Sequence, residues 1–304
     1  MTADSDYGSL PFAIIMFIQG IIALFVNLLL ILSIVTSASN RVRKEFAAIV
    51  GVSLSEVLFS ISFINISINW IIQLYTDYVP VANRETFQCL NAHYNILFAV
   101  SYQFVGFSAL LVAIDRFISA FFSKLYSKLS ITDIGISIVV CFVISIAPLL
   151  VALNFSRTAR VDYYSNCPYL CMAIDAISDF VSPFFVLLRL LVVSASVLLG
   201  IPQGKLFKNT SKIKTVTSIS TTQAIARNFY IHKAQLTIVG FVIATSILLL
   251  IVPDILTIIR EFSHSKVFLS VYLLNQFRSC VNAAVCLTHP NLRRQLAVLF
   301  RVVK

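Results

Sequence analysis

Residues 11–36 read PFAIIMFIQGIIALFVNLLLILSIVT and contain no Asp, Glu, Lys or Arg. A helix rises about 1.5 Å per residue, so about 20 apolar residues cross the hydrocarbon core of a bilayer. The stretch is too long for a secretory signal peptide, and residues 1–10 lack the basic start of one. It therefore predicts a first transmembrane helix that acts as an uncleaved signal anchor.

Six further apolar segments have a similar length, at residues 46–72, 89–114, 133–153, 175–200, 234–259 and 268–288. Of the 304 residues, 59% are hydrophobic and only 12% are charged, whereas a soluble domain carries about 25% charged residues. We therefore predict an all-α membrane protein, a seven-transmembrane helix bundle spanning residues 11–288. Polar residues interrupt two of the segments: Asn65 and Asn69 the second, and Arg189 the fifth.

The positive charges predict how the chain is oriented. Of the 23 Lys and Arg residues, 16 lie in the first, third and fifth connections and the C-terminal tail, and five lie in the other connections. Cytoplasmic loops carry such an excess. We expect an extracellular N-terminus (residues 1–10), a cytoplasmic C-terminus and a multi-pass plasma-membrane location. The net charge of +10 fits a basic face beside anionic lipid better than a nucleic-acid-binding domain.

An acid and an arginine stand together at the cytoplasmic end of the third segment, in the run Ala113-Ile114-Asp115-Arg116-Phe117. Charges at a membrane edge are costly unless they are used, although a plain helix-end ion pair is the alternative. The run resembles the Asp-Arg-Tyr motif of rhodopsin-like G-protein-coupled receptors. The resemblance implies that Asp115 restrains Arg116 at rest and that the freed arginine reaches the G protein.

Other positions resemble that receptor family in the same order along the chain. Several motifs are altered, since Glu56 replaces the aspartate of helix two and Asn282-Ala283-Ala284-Val285-Cys286 replaces Asn-Pro-x-x-Tyr. A chain that keeps the order of the family's motifs but alters several of them is similar to the divergent serpentine chemoreceptors of nematodes. The remaining matches are Asn27, the helix-kinking prolines Pro183 and Pro253, and the run from His289 to Arg294.

The resemblance implies a receptor that binds an extracellular small chemical cue or peptide and activates a heterotrimeric G protein. It would be a chemosensory or orphan receptor and not an enzyme. The sequence contains no catalytic signature, and its four histidines are scattered, so we expect no cofactor or metal. A multi-pass transporter or channel is the competing interpretation, disfavoured by the lack of an evident repeat and by only 8 Gly.

Residues 289–304 predict a short amphipathic eighth helix at the cytoplasmic face. Its apolar residues recur at helical spacing, and its arginines lie elsewhere on the helix. A tail without structure is the alternative. The apolar stripe consists of Leu292, Leu296, Leu299, Phe300 and Val303.

Four polar residues are expected in the interior of the bundle: Asn27, Glu56, Arg278 and Asn282. Glu56 and Arg278 each need a partner inside the bilayer, so we expect them to pair. In the receptors that the chain resembles, this region holds a sodium ion, and Arg278 would supply the positive charge instead. The alternative is that Arg278 faces the ligand cavity.

The resemblance implies a ligand cavity between the outer halves of helices three, five, six and seven. Asp254, which follows the kink proline, suggests a ligand with a positive or hydrogen-bond-donating group. Phe98 stands where amine receptors have an aspartate, which disfavours an amine ligand. The alternative for each residue is helix packing. The candidates are Tyr94, Asn95, Phe98, Tyr102, Asp179, Asp254, Tyr272 and Asn275.

Arg189 is expected in the cytoplasmic half of helix five. Snorkelling of its head group toward the lipid headgroups is favoured slightly over a role in signalling.

A disulfide is expected on the extracellular side, where oxidation is permitted. Cys89, at the start of the third segment, would pair with Cys167 in the loop before the fifth segment. Cys171 is the competing partner because spacing does not choose between the two. Free thiols are the remaining alternative.

Overall fold

The computed structural model describes residues 10–41, 43–75, 92–158, 181–214, 241, 244–263 and 268–302. Within these ranges the chain is almost entirely helical and contains no strand. The prediction of an all-α protein is confirmed to that extent.

Ten α-helices follow one another along the described chain. They are α1 (Leu10–Val35), α2 (Ala38–Arg41), α3 (Lys44–Tyr75), α4 (His93–Phe121), α5 (Ser123–Lys128), α6 (Ile131–Thr158), α7 (Val181–Lys214), α8 (Val252–Ser263), α9 (Phe268–Leu287) and α10 (Pro290–Val302). A π-helical turn, Ile247–Ile251, leads directly into α8.

Four of the described helices are long and apolar enough to cross a membrane: Leu10–Val35, Phe46–Tyr75, His93–Phe121 and Ile131–Asn154. Two shorter apolar helices, Phe184–Gly200 and Ala244–Leu256, accompany them. This content is compatible with a helical membrane protein.

The outward faces of α1 and α6 consist of large apolar side chains. Ile18, Phe25 and Leu32 are exposed on α1, and Val139 and Val143 are exposed on α6. Contiguous exposed apolar surface of this kind is unfavourable in water. The same faces suit the hydrocarbon core of a bilayer, where these side chains would contact lipid tails and not water.

Helix α4 lies at the centre of the bundle. It packs against α3, α6 and α7, while α1 packs against α3 and α9. Aromatic rings fill the space between α3, α4 and α7: Phe98 lies 5.7 Å from Phe59 and 5.6 Å from Tyr102, measured between ring centroids. Tyr102 in turn stacks on Phe185 of α7 at 5.8 Å.

Local sequence explains where α6 begins. Asp133 accepts hydrogen bonds from the backbone N–H of Ser130 at 2.7 Å and from its hydroxyl at 2.9 Å. The Ser130 hydroxyl accepts a bond from the Asp133 N–H at 3.1 Å. This reciprocal pairing satisfies N–H groups that the first turn of a helix leaves without partners.

The π-helical turn before α8 accompanies a proline. The N–H of Val252 donates to the carbonyl oxygen of Ile247, five residues earlier, and Pro253 follows at once. Proline has no N–H to donate and its ring crowds the preceding turn. Widening the helix by one residue is a known way to accommodate such a site, and π turns of this kind cluster at functional positions.

The amphipathic helix predicted for residues 289–304 is present as α10, Pro290–Val302. Leu292, from the apolar stripe, is fully buried in a cluster with Leu30 and Ile34 of α1, Phe46 of α3 and Ala283 of α9. Leu292 therefore holds the beginning of α10 against the end of the bundle where α1 ends and α3 begins.

Candidate functional site

One face of α9 carries a row of buried polar side chains. The row consists of Asn275, Gln276, Arg278, Ser279 and Asn282, all less than a tenth exposed. Such groups are costly in an apolar interior unless they are hydrogen-bonded. The row therefore needs partners on the neighbouring helices.

Arg278 and Glu56 form the ion pair that the sequence predicts. The Nη2 atom of Arg278 donates to Oε1 of Glu56, and both side chains are buried. Glu56 lies on α3 and Arg278 on α9, so the pair joins two helices far apart in sequence. The positive charge that pairs with the buried Glu56 carboxylate thus comes from the chain itself.

Hydrogen bonds extend this connection on both sides. The Asn27 side chain of α1 donates to the Ser279 hydroxyl at 3.0 Å, and Gln276 donates to the Ser60 hydroxyl of α3 at 3.0 Å. The Thr245 hydroxyl donates to the side-chain oxygen of Asn282 at 2.7 Å. All of these side chains are buried, so α9 is linked to α1, α3 and the helix before α8.

A second buried ion pair joins α7 to α8. The Nε atom of Arg189 lies 3.3 Å from Oδ2 of Asp254, and each side chain is only 1% exposed. Asn275 of α9 accepts a bond from Arg189 Nη2 at 2.9 Å. The Tyr102 hydroxyl of α4 donates to Asp254 Oδ1 at 2.8 Å, and the guanidinium carbon lies 3.7 Å from the centroid of the Tyr102 ring. We call these four residues the Arg189 cluster.

The expectation that Arg189 snorkels toward the headgroups is wrong. Helix α7 begins at Val181 and continues to Lys214, so Arg189 lies in its first third and not in its second half. Its side chain is buried beside an acid, an amide and an aromatic face. A buried arginine is tolerated where a carboxylate and further acceptors compensate its charge.

The Arg189 cluster gives Asp254 a different role from the one that the sequence suggests. The sequence suggests that this acid receives a positive group from a ligand. In the structure Arg189 neutralises the carboxylate from within the chain. Three cavity candidates, Tyr102, Asp254 and Asn275, therefore meet around one arginine that sequence reasoning assigns elsewhere.

Of the remaining cavity candidates, the structure describes four and leaves one outside the described residues. Tyr94, Asn95 and Phe98 are buried on α4, and Tyr94 and Phe98 belong to the aromatic core that also contains Tyr102. Tyr272 lies in α9. Asp179 lies outside the described residues.

The Asp115–Arg116 pair lies near the other end of α4, roughly 20 Å along the helix from Tyr102. Arg116 Nε donates to Asp115 Oδ2 at 2.8 Å, and the two side chains are 22% and 5% exposed. Arg116 Nη2 also lies 3.4 Å from the Tyr126 hydroxyl of α5. We call Asp115 and Arg116 the Arg116 pair.

Lys44 holds α5 in place beside the Arg116 pair. Its Nζ atom donates to the backbone oxygen of Tyr126 at 2.9 Å and lies 5.1 Å from the centroid of the Tyr126 ring. Phe117 packs its ring against Phe121 at 4.7 Å. The end of α4 thus brings together the beginning of α3, the short helix α5 and the Arg116 pair.

The cysteines of the predicted disulfide, Cys89 with Cys167 or Cys171, lie outside the described residues, so this pairing stays a prediction. Among the described residues, Cys141, Cys280 and Cys286 are free thiols.

No protein-family model matches this chain, and no functionally characterised protein matches it in sequence.

Sequence reasoning misses two features of these sites. Nothing in the spacing indicates that Tyr126 and Lys44 flank the Arg116 pair. The partner of Arg189 could have been predicted from the sequence. Once Glu56 is assigned to Arg278, Asp254 is the acid that remains without a partner deep in an apolar segment. An intramembrane arginine and an intramembrane acid without other partners are expected to meet.

Proposed function

We propose that this chain is a seven-helix G-protein-coupled receptor of the plasma membrane. Its seven helices would be α1, α3, α4, α6, α7, the helix that contains the π turn together with α8, and α9. The N-terminus would be extracellular and the C-terminus cytoplasmic. The 16 cytoplasmic lysines and arginines expected from the sequence support this orientation.

The Arg116 pair is the observation that carries the proposal. An arginine held by its neighbouring acid at the basic end of a central helix is a charge that can be released toward a cytoplasmic partner. The surrounding cations, Lys44, Lys124 and Lys128, favour an acidic or polar protein surface there. Binding of a heterotrimeric G protein at this end, coupled to ligand binding at the other, would make the chain a two-state switch.

Helix α9 would supply the physical connection between the two ends. Its buried polar row contacts α1, α3 and α7 through hydrogen bonds and one ion pair. A shift of α9 that follows ligand binding would have to exchange these bonds as a set. Exchange between two such sets is the kind of bistable element that coupling between distant sites requires.

G-protein activation in cells tests this proposal. Wild type and Arg116→Ala are compared at matched surface expression over a panel of small odorants and peptides. We expect a ligand response in wild type that Arg116→Ala abolishes, because the released arginine is the group that would reach the G protein. Arg294→Ala is the matched control, since it removes an exposed positive charge from α10 at the same end of the bundle and should keep most of the response. A response that survives Arg116→Ala unchanged would contradict the proposal.

A transporter or channel is the second candidate, and the two buried ion pairs favour it. Four charged side chains, Glu56, Arg189, Asp254 and Arg278, are buried within apolar helices, and intramembrane charges often mark ion or proton paths. Ligand-dependent flux or current that survives Arg116→Ala would support this candidate over the receptor.

A further inference from the structure

The two buried ion pairs lie close enough to act on each other. Arg278 interacts electrostatically with both members of the other pair, Arg189 and Asp254. Asn275 accepts a hydrogen bond from Arg189 and precedes Arg278 on α9 by three residues. That spacing amounts to about 4.5 Å along one face of a helix. The four charges therefore form one group and not two separate sites.

Helix α4 shows that the two pairs lie at the same depth of the bundle. A Cβ added at Gly106 would lie 3.4 Å from Arg189 Cγ, so the stem of the arginine passes α4 at this position. Ser108, two residues further along α4, shares a hydrogen bond of 2.8 Å with Ser55. Ser55 precedes Glu56 directly on α3. Arg189 and Glu56 thus approach α4 within one helical turn of each other.

Each of the four charged side chains retains an atom that could bind a second partner. An arginine and a carboxylate that served only each other would form two parallel hydrogen bonds. Each pair instead leaves at least one donor and one acceptor unused, and unused polar atoms in an apolar interior are costly. The buried atoms that form no hydrogen bond among the described residues are Oε2 of Glu56, Nε and Nη1 of Arg189, Oδ2 of Asp254 and Nε of Arg278.

An exchange of partners would leave no charge unpaired. The group contains two guanidinium and two carboxylate groups, so it is neutral in either arrangement. The present pairs join α9 to α3 and α7 to α8. Arg278 with Asp254 would instead join α9 to α8, and Arg189 with Glu56 would join α7 to α3. The exchange therefore relinks the same four helices in a different way.

We propose that the two buried ion pairs exchange partners between two states of the helix bundle. In the second state Arg278 pairs with Asp254. Arg189 pairs with Glu56 in that state. Packed interiors with two discrete arrangements convert a small displacement at one site into a change at another. The exchange belongs to the bundle alone, whereas its use as the switch of a receptor rests on the function proposed above.

Removal of one charge from each pair tests the exchange. Glu56→Gln combined with Arg189→Gln is called the exchange variant. It leaves Arg278 and Asp254, which carry opposite charges and come from different pairs. Thermal unfolding of the purified full chain in detergent compares it with the two single variants. We expect each single substitution to lower the midpoint by about 5 °C or more, because it leaves a buried charge without its partner. The exchange variant should lower the midpoint by less than either single substitution, because its two remaining charges meet.

A second double variant is the matched control. Glu56→Gln with Asp254→Asn also removes one member of each pair, but it leaves two arginines of the same charge. Fixed pairs would make the loss in either double variant equal to the sum of the two single losses. Exchange predicts that the exchange variant unfolds at least about 5 °C above this control. The reciprocal variant, Arg278→Gln with Asp254→Asn, should recover stability in the same way.

Two results would overturn the inference. They are additive losses in the exchange variant and equal midpoints for the exchange variant and the control. If the single variants do not fold, the comparison of the two double variants decides. A folded exchange variant beside an unfolded control supports the exchange, and failure of both to fold overturns it.

The unfolding measurement involves no G protein, so the two proposals fail separately. In the assay of G-protein activation, the exchange variant can form only one pairing and should give the same signal with and without ligand. Recovery of stability in a chain that never activates a G protein would refute the receptor and keep the exchange. A ligand response that needs Arg116, together with additive losses of stability, would keep the receptor and overturn the exchange.

Discussion

Two arginine–carboxylate pairs, near opposite ends of α4, differ in how they are held. The ion pair of Arg189 with Asp254, called the Arg189 pair below, joins α7 to α8, and each of its two side chains is 1% exposed. The Arg116 pair joins two neighbours on one helix, and Arg116 is 22% exposed. A pair between neighbours can open without moving any helix, whereas the Arg189 pair can open only if two helices rearrange. The first arrangement suits a contact with a partner, and the second suits a structural link.

The largest difference between the two pairs should appear on removal of the arginine. Arg189→Leu leaves Asp254 charged in the interior, and we expect it to lower the free energy of unfolding by about 3–5 kcal/mol. Arg116→Leu removes a partner that is 22% exposed and leaves Asp115, itself 5% exposed, at the end of α4, so it should cost less, about 1–3 kcal/mol. Denaturant unfolding in detergent measures both changes. Equal costs for the two substitutions would show that burial does not distinguish the pairs.

Removal of both partners should recover most of the loss at the Arg189 pair. Arg189→Leu with Asp254→Leu leaves no unpaired charge between α7 and α8, and apolar pairs often replace buried ion pairs at little net cost. We expect a coupling energy of about 1–3 kcal/mol in the double-mutant cycle. Purely additive costs would mean that the two side chains do not interact.

A smaller effect tests how tightly the stem of Arg189 is packed. A Cβ added at Gly106 would lie 3.4 Å from Arg189 Cγ, whereas one added at Gly135 has nothing within 4 Å. Gly135→Ala should stabilise its helix by about 0.5–1 kcal/mol. Gly106→Ala gains the same helix propensity, but its Cβ would stand at the near limit of van der Waals contact with the Arg189 stem, so we expect it to be less favourable than Gly135→Ala by about 0.5 kcal/mol. Thermal unfolding of the two variants compares them, and identical stabilities would contradict close packing at Arg189.

The sequence predicts the helical fold because its signal is local. Apolar runs long enough to cross a bilayer identify α1, α4 and α6 directly, and periodic leucines identify α10. Helix α9 gives a weaker signal because its polar residues belong to partners on other helices. Its length and apolar character alone do not qualify it as a membrane span among the described helices.

The candidate site is predicted only where a residue has one possible partner. Glu56 and Arg278 meet as expected because each is expensive alone in an apolar segment. Arg189 is misassigned because its position in α7 depends on where that helix begins, which composition does not define closely. The contact of Tyr126 with Arg116 depends on the path of the chain between α4 and α6, for which hydrophobic periodicity carries no information.

The π-helical turn at Ile247–Ile251 has a consequence for insertions and deletions. A π turn holds one extra residue in about the same rotation as a regular α-helical turn. Deletion of one residue from this turn would therefore restore regular α-helical bonding and leave Asp254 facing close to its present direction. Insertion of one more residue would instead rotate Asp254 by about 100° away from Arg189, so it would act as a charge mutation although it alters no charged residue.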